Sequence, residues 1–359
     1  MKKILIIFTG GTICSSNENG KNRSDAKATE SYLIDDFENG DSELRGSVCF
    51  EKKQLSVDIL SENMTVDTWN ELLSIFRDED IWTRYNGIIV LHGTDTLAYT
   101  SSLLSLLLSG APIPIFIVSA QLPLRYQTTV TENGIKRSLS IKDERSNGYK
   151  NFRVSVELIV NGIAPNVYVA YENSSSETLL HLGSHLLQCP NHSNDFHSKD
   201  ETVINTTRHC GIGFETNTFY ASKICSLDPN VLLLFPYPNL AYDRINVDGA
   251  SAIVHGTYHS ESVCVGRKGI EKDKKYSVIS FIERCKEARL PLFLAPCNKS
   301  SYAYSSTKSA LDAGARVIAD TTIETAYAKT VIGVSLGLRD EELEKFLETS
   351  INHEFVYKK

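Results

Sequence analysis

Short runs of consecutive apolar, mostly β-branched residues recur along this chain. They are separated by longer stretches in which apolar positions return at helical spacing. The runs at 4–8, 88–91, 115–118 and 167–171 have the length of strands buried on both faces. Between them, 65–77, 98–109 and 152–160 read as helices, with Thr65 and Asn151 as N-caps of the first and last. Strand and helix alternating in this rhythm predict an α/β fold: a doubly wound, mostly parallel sheet covered on both faces. Patterning weakens from Cys189 to Ser226, then a second alternating block begins. Its expected strands are 231–235, 252–254, 292–295 and 317–319. Its expected helices are 278–288, 324–332, 341–346 and one ending at 309–313 before Gly314. The expected organisation is an N-terminal domain over 1–188, a linker over 189–226 and a smaller C-terminal α/β domain over 227–359. Two polar stretches read as loops. Residues 15–28 suit a mobile flap, and 125–145 hold Asn133-Gly134, a turn signal able to centre a hairpin.

Two of the strand runs end in turns that carry chemistry. Thr9-Gly10-Gly11-Thr12 follows the first, and His92-Gly93-Thr94-Asp95-Thr96 follows the run at 88–91. Parallel strands deliver both turns to one sheet edge, beyond the strand carboxyl ends, where open α/β sheets bind ligands. Glycine lets the backbone turn sharply and approach a ligand closely. The hydroxyls and the carboxylate then supply a nucleophile, a proton relay and an ammonium-binding group. The alternatives are structural: Thr12 as a turn threonine, and Asp95 as N-cap of a helix at Ala98. Gly10-Gly11 is not a phosphate loop, because no Gly-Lys-Ser/Thr follows.

Composition narrows the class. The 359 residues are 42% hydrophobic and 23% charged, so a packed core is expected. A net charge of -7 argues against a nucleic-acid binder and against adhesion to an anionic membrane. The opening Met1-Lys2-Lys3 and its apolar run look like a signal peptide, but the run stops too soon and reads as a buried strand. No stretch approaches a membrane span. The eight cysteines form no C-x-x-C pair, which suits reduced thiols in a cytoplasmic protein. Cys14 has no charged neighbour to activate it and reads as a small residue near the turn. His181 and His185, with His192 and His197 beyond, lack the acidic or cysteine partners of a zinc site, so no metal is expected. The polar run from His255 to Ser260 reads either as a loop closing the site or as a well-bonded turn.

The two turns together resemble those of the asparaginase/glutaminase family, in particular its bacterial, cytoplasmic type I branch. Further segments carry the resemblance. Ser61-Glu62-Asn63-Met64 resembles the family's Ser-x-Asp-Met. Ser119-Ala120-Gln121-Leu122-Pro123 resembles its Gly-(Ala/Ser)-Gln-(Ile/Met)-Pro loop. Arg145-Ser146-Asn147-Gly148 and Asn151 resemble its Arg-Ser-Asp-Gly and Asn. The likeness covers the first 160 residues well and the second half by architecture and the helix around 323–329. It implies Thr12 as nucleophile, Thr94 as proton-transfer partner and backbone N–H donor, and Asp95 as the grip on the substrate α-amino group. Ser61, with Glu62 beside it, would bind the α-carboxylate, and the Ala120 carbonyl would fix a water. The resemblance further implies a small amino-acid amide as substrate, no cofactor, and a homodimer or homotetramer with the site at a subunit interface.

The departures are equally specific. Gln188 stands where the family has a lysine tied to the second threonine and the aspartate, and Asn63 where an acid is usual. Lys21 or Asn22 falls nearest the spacing of the flap tyrosine, and Tyr32 is the tyrosine in reach. Residues 125–144 look like an insertion. The expected reaction is hydrolysis of L-asparagine to L-aspartate and ammonia through a threonine acyl-enzyme. The rivals are an amidohydrolase for glutamine or another small amide, and a catalytically impaired amino-acid-binding homologue. A transfer-RNA-dependent amidotransferase component is disfavoured, because no further module precedes the first strand and no basic face is evident.

Overall fold

The computed structural model describes all residues except 19–20, 25, 41–43, 133–134, 200, 205–225, 229, 299–303 and 357–359, and except the side chains of 16–28, 30, 57–58 and 132–136. The chain divides into two compact units, Met1–Ser222 and Lys223–Lys359.

The first unit is built on a seven-stranded sheet. Its strands are β1 (Lys2–Gly10), β4 (Val48–Ile59), β5 (Gly87–Leu91), β6 (Ile115–Val118), β9 (Val167–Glu172), β10 (Thr178–Leu182) and β11 (Thr202–Val203), in the order β11-β10-β9-β6-β5-β1-β4. The five from β9 to β4 pair in parallel, and β10 and β11 are antiparallel. The all-apolar runs arise because both faces are covered. Ile4, Ile6, Phe8, Ile89 and Leu91 pack with α1 (Ala26–Asn39) and α5 (Gly148–Val160) on one face. Leu5, Ile7, Ile88 and Val90 are equally buried on the other. Each such side chain contributes about 1.5–3 kcal/mol by leaving water. Two further helices, α2 (Val66–Phe76) and α4 (Leu97–Leu107), are joined by the Trp69 indole donating to the Thr100 hydroxyl at 3.0 Å. Thr65 caps α2 by accepting from the Thr68 amide, and α3 (Ile81–Arg84) is a single turn.

The first unit also departs from expectation. The 15–28 stretch is not simply a loop: it contains the strands β2 (Ser15–Glu18) and β3 (Lys21–Ser24) and the start of α1. The 125–145 stretch takes the alternative its turn signal allowed, a hairpin of β7 (Arg125–Glu132) and β8 (Ile135–Lys142); the Asn133-Gly134 pair lies outside the described residues. The hairpin joins the flap strands in one sheet, β3-β2-β7-β8, with Ser16 level with Arg125 and Asn17 with Tyr126. It is tied to α1 by Arg125 over the Tyr32 ring at 4.5 Å and by Lys142 on Asp36 at 2.7 Å. Strand β4 was hidden because Glu51, Lys52 and Lys53 break its apolar pattern, as suits a charged sheet edge. Asn151 is not an N-cap: α5 starts earlier, at Gly148, and Asn151 lies inside it, fully buried. Its Nδ2 donates to the Ser119 carbonyl at 2.9 Å and its Oδ1 accepts from the Glu172 amide at 2.8 Å, joining the ends of β6 and β9. Of the expected linker, 189–204 belongs to the first unit, where β11 pairs with β10.

The second unit carries a parallel four-stranded sheet in sequential order: β12 (Val231–Leu234), β13 (Ala252–Gly256), β14 (Leu292–Cys297) and β15 (Arg316–Ala319). The helices are α6 (Val278–Glu287), α7 (Ser305–Ala313), α8 (Ile323–Ser335) and α9 (Asp340–Glu348). Phe281 and Ile282 of α6 pack on Ile253, Leu292 and Leu294. Lys329 of α8 is wholly buried and donates to the Glu354 carboxylate at 2.7 Å and to the carbonyls of Leu347 and Thr349. Among the described residues, no helix is long and apolar enough to cross a membrane.

Candidate active site

Counting only the parallel strands of the large sheet, their chain order runs 2-1-3-4-5, so the order reverses between β1 and β5. The crevice beyond that reversal is where a doubly wound sheet binds its ligand, and both chemistry-bearing turns leave the sheet there.

The turns touch backbone to backbone. Gly11 has φ +82°, and a Cβ added to it would lie 2.3 Å from the Gly93 nitrogen; one added to Gly93 would lie 2.4 Å from the Ser61 hydroxyl. Only glycine permits this approach. The Gly11 amide donates to the Ile59 carbonyl at 2.7 Å, and the Thr9 hydroxyl to the Leu91 carbonyl at 2.8 Å, so β1 is bonded to both neighbours as it turns. Thr12 then opens a single 3-10 turn, Thr12–Cys14, closed by the Cys14 amide and the Ser15 hydroxyl, both donating to the Gly11 carbonyl. Thr12 is half-buried at its start, whereas Cys14 is buried.

Across β1, Ser61 sits at the end of β4 and bonds the β5 turn. Its hydroxyl accepts from the Asp95 amide at 3.1 Å and lies 3.4 Å from the Asp95 carboxylate, and its carbonyl accepts from the Thr96 hydroxyl at 3.0 Å. Glu62 and Asn63 are exposed in the same short turn. Asp95 is not the N-cap of α4; Thr96 occupies that position. Thr94 is half-buried and Asp95 exposed, as befits groups offered to a ligand.

The remaining candidates lie on the next strands. Ala120, fully buried, follows β6; its neighbour Gln121 donates its amide to the Asn147 side chain at 3.0 Å. Gln188, beyond β10, donates its side-chain amide to the Asp95 carbonyl at 2.7 Å. The structure thus brings Thr12, Ser61, Thr94, Asp95 and Gln188 to one crevice. Among the described residues, Asp95 bonds Ser61 and Gln188 but no Lys, Arg or His. A cavity of about 240 Å³ opens here, lined in part by Thr94, Asp95, Gln121, Tyr171, Gln188 and Phe196. Cavities of about 350 and 670 Å³ in the second unit include no residue of either turn.

Charge is arranged sparingly. His92 is fully buried with its Nδ1 2.7 Å from the Gly93 carbonyl, and loss of hydration pushes its pKa down to about 4. It is therefore a neutral prop under the turn at physiological pH and not a base. The motif showed this histidine, but no pattern in the sequence revealed its burial. Tyr171 was likewise missed, because it is placed by tertiary contacts alone, and Asn147 was seen in its motif but not as a partner of Gln121. Tyr32 is held on α1 under Arg125; the side chains of Lys21 and Asn22 lie outside the described part.

Two other histidines are buried in the packing. His181 is buried on β10 with Nδ1 2.8 Å from the Ser198 hydroxyl. His255 is buried on β13 against the Tyr242 hydroxyl at 2.9 Å, and Tyr258 to Ser262 form a hydrogen-bonded turn. Among the described residues, no group of three or more His, Cys, Asp and Glu is placed to hold a metal.

Residues 3–204 match the family profile described as Asparaginase, N-terminal. The chain belongs to the asparaginase family of amidohydrolases. It is 25% identical to the L-asparaginase of Thermococcus kodakarensis over 364 residues, covering 99% of each chain. It is 38% identical over 121 residues to one component of the glutamyl-tRNA(Gln) amidotransferase of Methanosarcina barkeri, a match spanning 34% of this chain but 27% of that protein. The fold is shared with the thermostable T. kodakarensis L-asparaginase (TM-score 0.69, 21% identity, 98% of this chain and 99% of that one). It is also shared with L-asparaginase I of Vibrio cholerae (TM-score 0.66, 20% identity, 99% of each).

Proposed function

We propose that this protein hydrolyses L-asparagine to L-aspartate and ammonia through an acyl-enzyme on Thr12. The observation that supports the reading is the backbone contact of the two glycine turns, Gly11 against Gly93, with Ser61 bonded to Asp95. The Asp95 carboxylate holds the substrate α-ammonium, and Ser61 is placed for the α-carboxylate. The Thr12 hydroxyl oxygen attacks the side-chain carbonyl carbon. Its proton passes by way of the Thr94 hydroxyl to the amide nitrogen, which leaves as ammonia. Water, positioned with help from the Ala120 carbonyl, then attacks the ester, releasing aspartate and returning the proton to Thr12. Holding these groups in register accounts for much of a rate enhancement in such a site.

Gln188 makes this chain unlike the lysine-bearing pattern it resembles. A neutral amide donates to the Asp95 main-chain carbonyl where the resemblance has a cation, and Asn63 stands where it has an acid. We read these as changes made together that keep local charge balanced. The cysteines among the described residues form no disulfide, which suits a cytoplasmic setting, and a homodimer or homotetramer of the type I kind fits the resemblance.

The likeness to an amidotransferase component supports a second reading, glutamine as the amide donor. Purified protein supplied with each amide separates them. The first reading expects ammonia and aspartate in equal amounts from asparagine, with glutamine slower. Faster release from glutamine favours the second. Binding of aspartate with no turnover of either amide refutes both and leaves an amino-acid-binding homologue.

A further inference from the structure

One residue of the β7–β8 hairpin reaches both ends of the segment that follows Thr12. The main chain of Arg125 pairs in parallel with Ser16, at the start of flap strand β2, and that of Tyr126 with Asn17. The Arg125 guanidinium lies 4.5 Å from the centre of the Tyr32 ring on α1, the helix into which the flap leads. The same guanidinium donates to the Ser140 hydroxyl at 3.1 Å and to the Ser140 carbonyl, so β8 fixes its position. The hairpin that carries Arg125 is itself rooted. Lys142, level with Arg125 on β8, donates to Asp36 of α1 at 2.7 Å and lies over the Tyr149 ring of α5 at 4.6 Å. The Leu124 carbonyl accepts from the Asp143 amide at 2.9 Å and from the Tyr149 hydroxyl at 3.1 Å. With Tyr126, Leu139 and Ile141 exposed, the hairpin adds little to the core; its polar contacts go to the flap, α1 and α5. A two-stranded ribbon is marginal in water, and β7 and β8 extend the flap pair to four strands. The flap in turn is bonded to the catalytic turn, since the Ser15 hydroxyl donates to the Gly11 carbonyl at 2.8 Å.

We propose that Arg125 is a positioning residue: by strand pairing at Ser16 and by its stack on Tyr32, it keeps the flap after Thr12 ordered before substrate arrives. The consequence for turnover rests on the amidohydrolase reading. Ordering a strand costs conformational entropy. A flap that had to order at each binding event would lower the apparent affinity by the fraction of molecules already ordered. The Arg125 clamp moves that cost from binding to folding.

The test uses the full chain. Hydrogen exchange of the β2 and β3 amides without substrate reads the order of the flap, with β5 and β6 as internal reference. Arg125→Ala removes the stack and the bonds to Ser140. It should speed flap exchange about tenfold, the worth of one ring contact or one net hydrogen bond, and leave the reference unchanged. Tyr32→Leu removes the ring from the other side and should do the same, whereas Tyr32→Phe keeps the ring and should keep the flap protected. The double variant Arg125→Ala/Tyr32→Leu should exchange no faster than either single variant. With L-asparagine, Arg125→Ala should raise KM about tenfold and leave kcat within about twofold, because saturating substrate draws the flap back into order.

Flap exchange that stays at the wild-type rate in Arg125→Ala and Tyr32→Leu overturns the proposal. So does faster exchange shared equally by β5 and β6, or a fall in kcat with KM unchanged, either of which marks a merely structural role. The exchange readout needs no turnover. Faster flap exchange in a protein that hydrolyses neither amide refutes the hydrolytic reading and spares the clamp. Unchanged exchange in an active protein refutes the clamp and spares that reading.

Discussion

Gly11→Ala probes the geometry on which the site depends. The added methyl would meet the Gly93 nitrogen at 2.3 Å and its Cα at 2.4 Å, and the residue would have to keep φ +82°. The left-handed backbone alone costs about 1–2 kcal/mol. Both neighbours of the methyl are main-chain atoms, so no flexible side chain can yield, and overpacking adds about 1–3 kcal/mol. The sum is about 2–5 kcal/mol, expressed as separation of the two turns. A displacement near 1 Å between reacting groups lowers kcat/KM about 10²-fold. Gly162→Ala is the control, because Gly162 has φ +78° with nothing within 4 Å of the added carbon. It should cost only the backbone term, about 1–2 kcal/mol, and leave turnover intact. Urea unfolding followed by circular dichroism, with ammonia release on the same samples, gives both quantities. If Gly11→Ala is no less stable than Gly162→Ala and keeps its turnover, the contact between the turns is wrong.

Three further expectations concern the framework. His92, His181 and His255 are each held neutral at about 4 by burial. The unfolded chain therefore binds protons first, and stability that is complete above about pH 6.5 declines as pH falls, by about 2 kcal/mol per histidine down to pH 5. Urea midpoints unchanged between pH 7 and 5 would contradict their neutral burial. Asn151→Ala strands the Ser119 carbonyl and the Glu172 amide and should cost about 2–5 kcal/mol; a loss within the error of denaturant unfolding would show that this bridge carries little. Lys329→Met leaves Glu354 buried without its cation and should cost about 3–5 kcal/mol. Much of that loss should return when Glu354→Gln is added, and simple additivity in the cycle would show the pair is uncoupled.

What could be read from the chain followed its physics. Strands β1, β5, β6 and β9 were legible because burial on both faces leaves an unbroken apolar run, and the two glycine turns were legible because they follow such runs. Strand β4 was not, since its charged residues serve a sheet edge. The flap strands hid in polar sequence because pairing, and not a hydrophobic face, gives them order, whereas the β7–β8 hairpin was legible as an alternative through its Asn133-Gly134 turn signal. Asn151 was misread as a cap because its purpose, joining β6 to β9, depends on segments distant in sequence. The turn residues of the site were evident one by one. Their contact through Gly11, Gly93 and Ser61, and the cavity behind them, required three dimensions.

The central claim is that Thr12, in the turn after β1, is the nucleophile of an amide hydrolysis. Ammonia release from L-asparagine by the wild-type protein and by Thr12→Ala, each shown by circular dichroism to be folded, tests it most directly. The account expects release by the wild type and a loss of at least about 10³-fold in the variant. A folded Thr12→Ala protein that releases ammonia at a rate near the wild type would contradict it.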